Sequence, residues 1–333
     1  MSHFALMVVT DNKPSQEDLE TIMMPYHEFE CTGVDDEYVQ DIDVTDEVIE
    51  KYNTHMSRYI LCPDGSKESI YDDTGNYKEK YSKKAERGFD RRKLFIPDGY
   101  QEIEVPTKEV QTFLEFARYW GGYEVKGVDK EKDKWGYIIL LQNGNVGEVI
   151  NRTNPNAKWD WWEIGGRYAR HFLHKNGDGV DTIQKKDIDI EGMNEIITKE
   201  SGDRWDRAIA LVGDTIKDLI TWEECKIKFK NDMKKVRDFY YNQECVRLFK
   251  DGKNFIFSQL DEFNYSRETY INNCIKQSMV SYAILIDSNW LAQGTMGWWG
   301  ISLDETNNWN DAFNEIYDKI SDDSWLTIID CHI

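Results

Sequence analysis

Apolar and polar positions change their rhythm several times along the chain. His3 to Val9 is a nearly unbroken apolar run with β-branched residues, closed by Thr10-Asp11-Asn12, which is the pattern of a buried strand. Ser15 with Asp18 three residues on predicts a capping box, and Leu19, Ile22 and Met23 share one face of the short helix that follows. Pro25 ends it, and the segment from Pro25 to Gly33 alternates like an extended strand. Thr45 opens a second helix, with Val48, Ile49 and Tyr52 on one side. Residues 62–100 lose any period. They hold Pro63-Asp64-Gly65, Asp73-Thr74-Gly75 and Pro97-Asp98-Gly99, which predicts a mobile surface excursion. A helix ending at Gly121-Gly122 and a hairpin around Asn143-Gly144 follow.

Residues 180–275 are helical in pattern. The longest helix is expected from about Trp222 to Phe249, because Trp222, Cys225, Phe229, Met233, Val236 and Tyr240 recur at three- and four-residue steps. Its opposite face carries Lys226, Lys228, Lys230, Lys234, Lys235 and Arg237, read as a solvated face. The end of the chain returns to strands: Val280 to Asp287, Trp290 to Gln293, Trp298 to Leu303 and Trp325 to Ile329, with one helix near 308–320. Strands at both ends and helices between them predict an α+β fold, with a mixed or antiparallel sheet built from N- and C-terminal strands. Three sections result: 1–170 with the excursion, a helical 171–278, and 279–333 completing the first sheet.

Composition narrows the class. Twelve Trp, eighteen Tyr and fourteen Phe in 333 residues argue for a packed core and against disorder. No apolar run is long enough to span a membrane, and the first residues read as a strand, not a signal peptide. The six cysteines are scattered without a Cys-x-x-Cys pair, which predicts reduced, mostly buried thiols. The formal net charge is −21, and residues 1–50 hold fourteen Asp and Glu against one Lys. Such a field repels nucleic-acid phosphates and attracts basic surfaces, so direct nucleic-acid binding is not expected. If the acidity has a partner, Asp35, Asp36, Glu37, Asp41 and Asp43 are the residues expected to face it.

Several blocks carry candidate chemistry. In Trp159-Asp160-Trp161-Trp162-Glu163-Ile164-Gly165-Gly166-Arg167, the glycine pair permits close backbone approach or positive φ, and Arg167 offers a planar fork to an anion. Trp161, Trp162 and Glu163 are candidate ligand contacts beside it, and internal packing is the competing reading. Met296-Gly297-Trp298-Trp299-Gly300 adds Trp298 and Trp299 as stacking surfaces. At the end, Asp330 and His332 would share one face of a strand and Cys331 the other. Terminal strands of such a sheet are often neighbours, so His3 could join them in an acid–base or metal site. His171 and His174 are expected on a polar surface. No Walker loop, dinucleotide fingerprint or Gly-x-Ser-x-Gly elbow occurs, which disfavours those enzyme classes. No residue is assigned as a metal ligand, and no particular cofactor is indicated.

Taken as a set, MSHF, PYHEFECTG at 25–33, NPNAKWDWWEIGGRY at 154–168, MGWWG at 296–300 and the final DCHI resemble a family of uncharacterised proteins of tailed bacteriophages, in a form similar to those of T-even-type phages. The resemblance implies an accessory protein made in the host cytoplasm. It carries no catalytic residue with it. Two readings stand at this point. One is a counter-defence protein that binds a host or defence protein with a basic surface through the acidic N-terminal face. The other is an enzyme or nucleotide-like ligand binder with a pocket of His3, Glu163, Arg167, Trp298, Asp330 and His332. A structural virion role fits less well, since the chain lacks fibrous repeats and heptads.

Overall fold

The computed structural model describes residues 2–84, 92–250, 259–296, 302–303 and 308–333. The chain divides into two compact units, one made of Met1–His27 with Lys158–Ile333 and the other of Glu28–Ala157. The division thus falls inside the section read above as 1–170, and the helical section shares a unit with both terminal strands.

The first unit is built on a six-stranded mixed sheet. Its path runs Trp161–Ile164, Trp325–His332, His3–Thr10, Ala283–Ile286 and Asn289–Ala292, with Thr182–Gln184 also paired to Trp325–His332. The first strand lies antiparallel to Trp325–His332 and parallel to Ala283–Ile286. It is therefore covered on both edges and both faces, which is why its sequence reads as a continuous apolar run. Phe4, Leu6 and Val8 pack with Leu19, Met23, Trp159, Ile329 and Cys331. Ala5 and Met7 pack on the other face with Ile284, Leu326, Ile328, Trp309 and Phe313. Each fully buried side chain of this size stabilises by roughly 1.5–3 kcal/mol. The α+β expectation holds.

Local expectations mostly hold where turn chemistry speaks. Ser15 and Asp18 form the capping box of helix Gln16–Met23. Asp287 and Ser288 take φ of 50° and 61°, and Ile286 pairs with Asn289, the two-residue hairpin that positive φ at both positions permits. The Pro25–Gly33 segment is different. It folds as a 3-10 turn, Met24–Tyr26, and a short helix, Phe29–Thr32, closed by Gly33 at φ 66°. Pro25 fits a first helical turn, and this preference overrides the alternating pattern. The expected helix Trp222–Phe249 is three helices, Trp222–Lys228, Met233–Asn242 and Glu244–Lys250. Lys230 and Asn231 adopt positive φ, and Asp232 then caps a new helix by accepting from the Lys235 N–H. The apolar stripe survives the breaks, with Cys225, Val236 and Tyr240 in one core. The longest described helix is Ile190–Val212, capped by Asp189. No described helix is long and apolar enough to cross a membrane.

The second unit holds a four-stranded sheet, Gln40–Asp43, Val146–Thr153, Gly136–Leu140 and Glu124–Val125, covered by helices Thr45–Thr54 and Phe113–Gly121. Beside it Met56–Leu61 pairs with Lys67–Ser69 and Gln101–Pro106. The stretch expected to be an excursion has its own small core, with Ile60, Ile70 and Tyr81 fully buried. Tyr81 reaches Glu68 through its hydroxyl, 2.8 Å away. That polar anchor is invisible to a reading based on turn residues.

Candidate functional site

Antiparallel register puts His3 opposite His332, Ala5 opposite Asp330, Trp161 opposite His332 and Glu163 opposite Asp330. Directly opposed residues share a face. His3, His332, Asp330, Trp161 and Glu163 therefore stand at one end of one face of the sheet, drawn from three neighbouring strands. Trp162 and Cys331 point the other way, into the core.

Asp330 is fully buried and both of its oxygens are used. One accepts from His3 Nδ1 at 2.9 Å and the other from the Arg167 backbone N–H at 2.9 Å. Removing a carboxylate from water requires such partners. A second dyad lies alongside, with His332 Nδ1 on Asp160 Oδ1 at 2.5 Å. The two imidazoles meet edge to face with centroids 4.9 Å apart. In each ring the carboxylate holds Nδ1 as the donor, so a neutral ring carries its lone pair on Nε2. Neither Nε2 has a hydrogen-bond partner among the described residues. Both side chains keep a window to solvent, 14% and 13% exposed.

The Gly165-Gly166 pair makes this possible. Gly166 has φ 50°, and a Cβ there would fall 2.6 Å from Asp330 Cβ and Oδ2 and 2.8 Å from Glu163 Oε1. Gly165 has φ 72° and presses on the Asp181 carboxylate in the same way. Both uses of glycine, positive φ and close approach, thus operate together, and they deliver the Arg167 N–H to Asp330. The Arg167 side chain is exposed and forms no salt bridge among the described residues. Tyr168 donates its hydroxyl to the His3 carbonyl at 3.3 Å. Burial first, and the Asp330 charge second, push its pKa up and keep it a phenol. Burial likewise raises the Cys331 thiol well above its ordinary range, helped by Asp330 next to it. Cys331 is packing, not a nucleophile.

The sequence candidates separate accordingly. His3, Asp330, His332, Trp161 and Glu163 converge, and Trp161 stays 48% exposed with its ring 6.4 Å from His3. Arg167 contributes its backbone to the dyad and leaves its guanidinium free to reach outward. Trp162 is corrected to a packing residue against Trp159. Trp298 and Trp299 lie outside the described residues. Asp160 was missed as a partner of His332. Strand alternation would group it with Trp162; instead it stands just before the strand Trp161–Ile164, where its N–H donates to the His332 carbonyl at 2.9 Å, a placement no sequence period signals. His171 is largely buried, contrary to the expected polar surface. His174 turns back to accept from the Asn176 N–H at 3.0 Å.

The acidic residues do not form a free row. Asp35 and Asp41 both grip Arg152, at 2.9 and 2.8 Å, and Asp41 also accepts from the Tyr137 hydroxyl at 2.7 Å. Asp36 accepts from the Tyr38 N–H at 3.0 Å, and Asp43 from the Thr45 N–H at 2.9 Å, while Glu37 is exposed. Internal pairing of this kind removes the sharp form of the acidic reading, in which these carboxylates imitate a row of phosphates.

Compared with known proteins, the chain matches no family model, no curated protein and no solved structure.

Proposed function

We propose that the chain is an acid–base enzyme acting on a small, ring-bearing, nucleotide-like substrate. The observation that carries this is the pair of imidazoles, each oriented by its own carboxylate, with both Nε2 atoms unengaged and the rings side by side. One neutral ring can take a proton while its protonated neighbour supplies one, the division of labour that ester cleavage needs. For a phosphodiester, water bonds to phosphorus as its proton passes to the neutral Nε2. The bond to the leaving oxygen breaks as that oxygen takes the proton of the other ring. Trp161 supplies an exposed indole for a base to stack on, and Arg167 one cation.

Charge limits the substrate. Asp160, Glu163 and Asp330 stand at the same end of the sheet, in a chain of net charge −21. Substrates with several negative charges are therefore disfavoured, and a singly charged one, such as a cyclic mononucleotide, fits better than a triphosphate. The test is to incubate purified protein with cyclic mononucleotides, nucleoside triphosphates and dinucleotides, and to follow products by chromatography. Turnover of a singly charged ester, with a bell-shaped pH profile that His3→Ala and His332→Ala each abolish, supports the reading. Turnover that both variants retain, or none with any of these esters, overturns it. On the resemblance to phage accessory proteins, the reaction would run in the cytoplasm of the infected bacterium.

A second reading keeps the partner. The net charge favours a basic host or defence protein, and binding would rest on the total field, since Asp35, Asp41 and Asp43 have internal duties. Capture of one host protein that weakens steeply with salt, and persists in His3→Ala, would favour it over the enzyme.

A further inference from the structure

A second site lies away from the histidine pair. A cavity of about 450 Å³ is bordered by Arg170, His171, Phe172 and Gly179, by helix Ile190–Val212 and by helix Arg267–Gln277. Its walls are apolar, with Phe172 fully buried and Met193, Ile196 and Ile197 on the helix side; Ile196 is 48% exposed. A pocket of this size holds a compact organic molecule.

The polar groups define which one. His171 Nε2 is buried and has no hydrogen-bond partner among the described residues. The ring stands edge-on to Phe172, centroids 5.0 Å apart. Burial lowers its pKa, and the hydrogen bond with the Met279 backbone opposes that, as a ring N–H donating to a carbonyl does. Burial favours the neutral ring, and Nε2 accepts in the tautomer whose proton sits on the other ring nitrogen. A buried ring nitrogen without a partner is destabilising, so it calls for an explanation. Arg170 is the second feature. Its backbone N–H is tied to the Asp181 carboxylate, it adopts φ 63°, and its guanidinium makes no salt bridge among the described residues.

We infer that this cavity binds a small, largely apolar acid, with its ring or alkyl body against Phe172, Met193, Ile196 and Ile197, a hydrogen-bond donor on His171 Nε2 and its anionic group on Arg170. A neutral imidazole recognises an O–H or N–H, not a second anion, which separates this site from the proton-transfer pair.

Anilinonaphthalene sulfonate carries all three elements: an aromatic body, one N–H and a sulfonate. Titrated into the full chain, it should bind saturably at one site with enhanced fluorescence. His171→Phe keeps the aromatic volume and removes the acceptor, and it should weaken binding about tenfold, as should Arg170→Ala. Naphthalene sulfonate, which lacks the N–H, should compete equally well against wild type and His171→Phe once its own affinity is measured directly in each. Ile196→Trp, at a half-exposed position that tolerates a larger side chain, should block the probe without lowering the melting temperature. Non-saturable binding, or affinity unchanged in His171→Phe and Ile196→Trp, would overturn the proposal.

Discussion

His3 Nδ1 lies 2.9 Å from Asp330 Oδ1, although 327 positions of chain separate the two residues. The bond ties the first strand to Trp325–His332 at the point where the candidate chemistry sits. Because Asp330 also holds the Arg167 N–H, deleting its carboxylate orphans two donors in a buried place. Asp330→Ala should therefore cost about 3 kcal/mol in urea unfolding. Asp330→Asn keeps an acceptor for the Arg167 N–H and should cost less, while abolishing turnover in the same way. Equal losses in the two variants would mean that the carboxylate charge facing His3, not side-chain volume or the acceptor kept for Arg167, sets the cost.

The glycine pair offers a second measurement. Gly166→Ala meets both a positive φ and a collision with Asp330, and should destabilise by more than about 2 kcal/mol. Gly177, at φ 91° with open space around its Cβ position, isolates the backbone share, and Gly177→Ala should cost about 1 kcal/mol. Thermal melts of the two variants side by side decide it; a smaller loss at Gly166 would contradict the close approach.

Arg152 is the hinge of the acidic segment's electrostatics. Burial pulls its pKa down, but the Asp35 and Asp41 carboxylates outweigh that and leave it raised. Arg152→Ala strands both carboxylates beside one another, and their exposure of 44% and 49% softens the penalty. The expected cost is about 1–2 kcal/mol, falling as salt is added. A loss independent of salt would assign Arg152 a packing role only.

His171 links stability to pH. Its folded pKa lies below the ordinary 6.5 because of burial, so the unfolded chain binds the proton more readily. The contribution is neutral above pH 6.5, and stability is lost as pH falls below it toward the folded pKa. His171→Gln should flatten the fall of the melting temperature below pH 6.5 relative to wild type. A variant that tracks wild type across that window would place the titration elsewhere.

How much of this was readable beforehand follows from the kind of force involved. The first strand, the Ser15 cap and the hairpin at Asp287-Ser288 are set by neighbours in sequence, and their signals are local. The pairing of His3 with Asp330 could be anticipated because strand periodicity puts Asp330 and His332 on one face and the terminal strands adjoin. Three things were not local. Asp232 restarting a helix after two positive-φ residues competes with a strong apolar stripe, and the stripe alone reads as one long helix. Asp35 and Asp41 look like a solvated charge run until Arg152, more than a hundred positions away, closes on them. His171 sits among polar neighbours in sequence and apolar ones in space.

The Lys158 N–H donates to the Tyr26 carbonyl at 2.7 Å, and His27 bridges to Trp159. The chain thus leaves the first unit and re-enters it on the same doorstep, which is the topology of a guest sequence spliced into a host fold. Residues Glu28–Ala157 should accordingly be removable as a cassette. A chain in which a short Gly-Ser bridge joins His27 to Lys158 should still assemble the six-stranded sheet and both imidazole dyads, and the excised piece should fold alone with Arg152 and its two aspartates intact. Whatever the guest contributes would then be separable from the chemistry of its host.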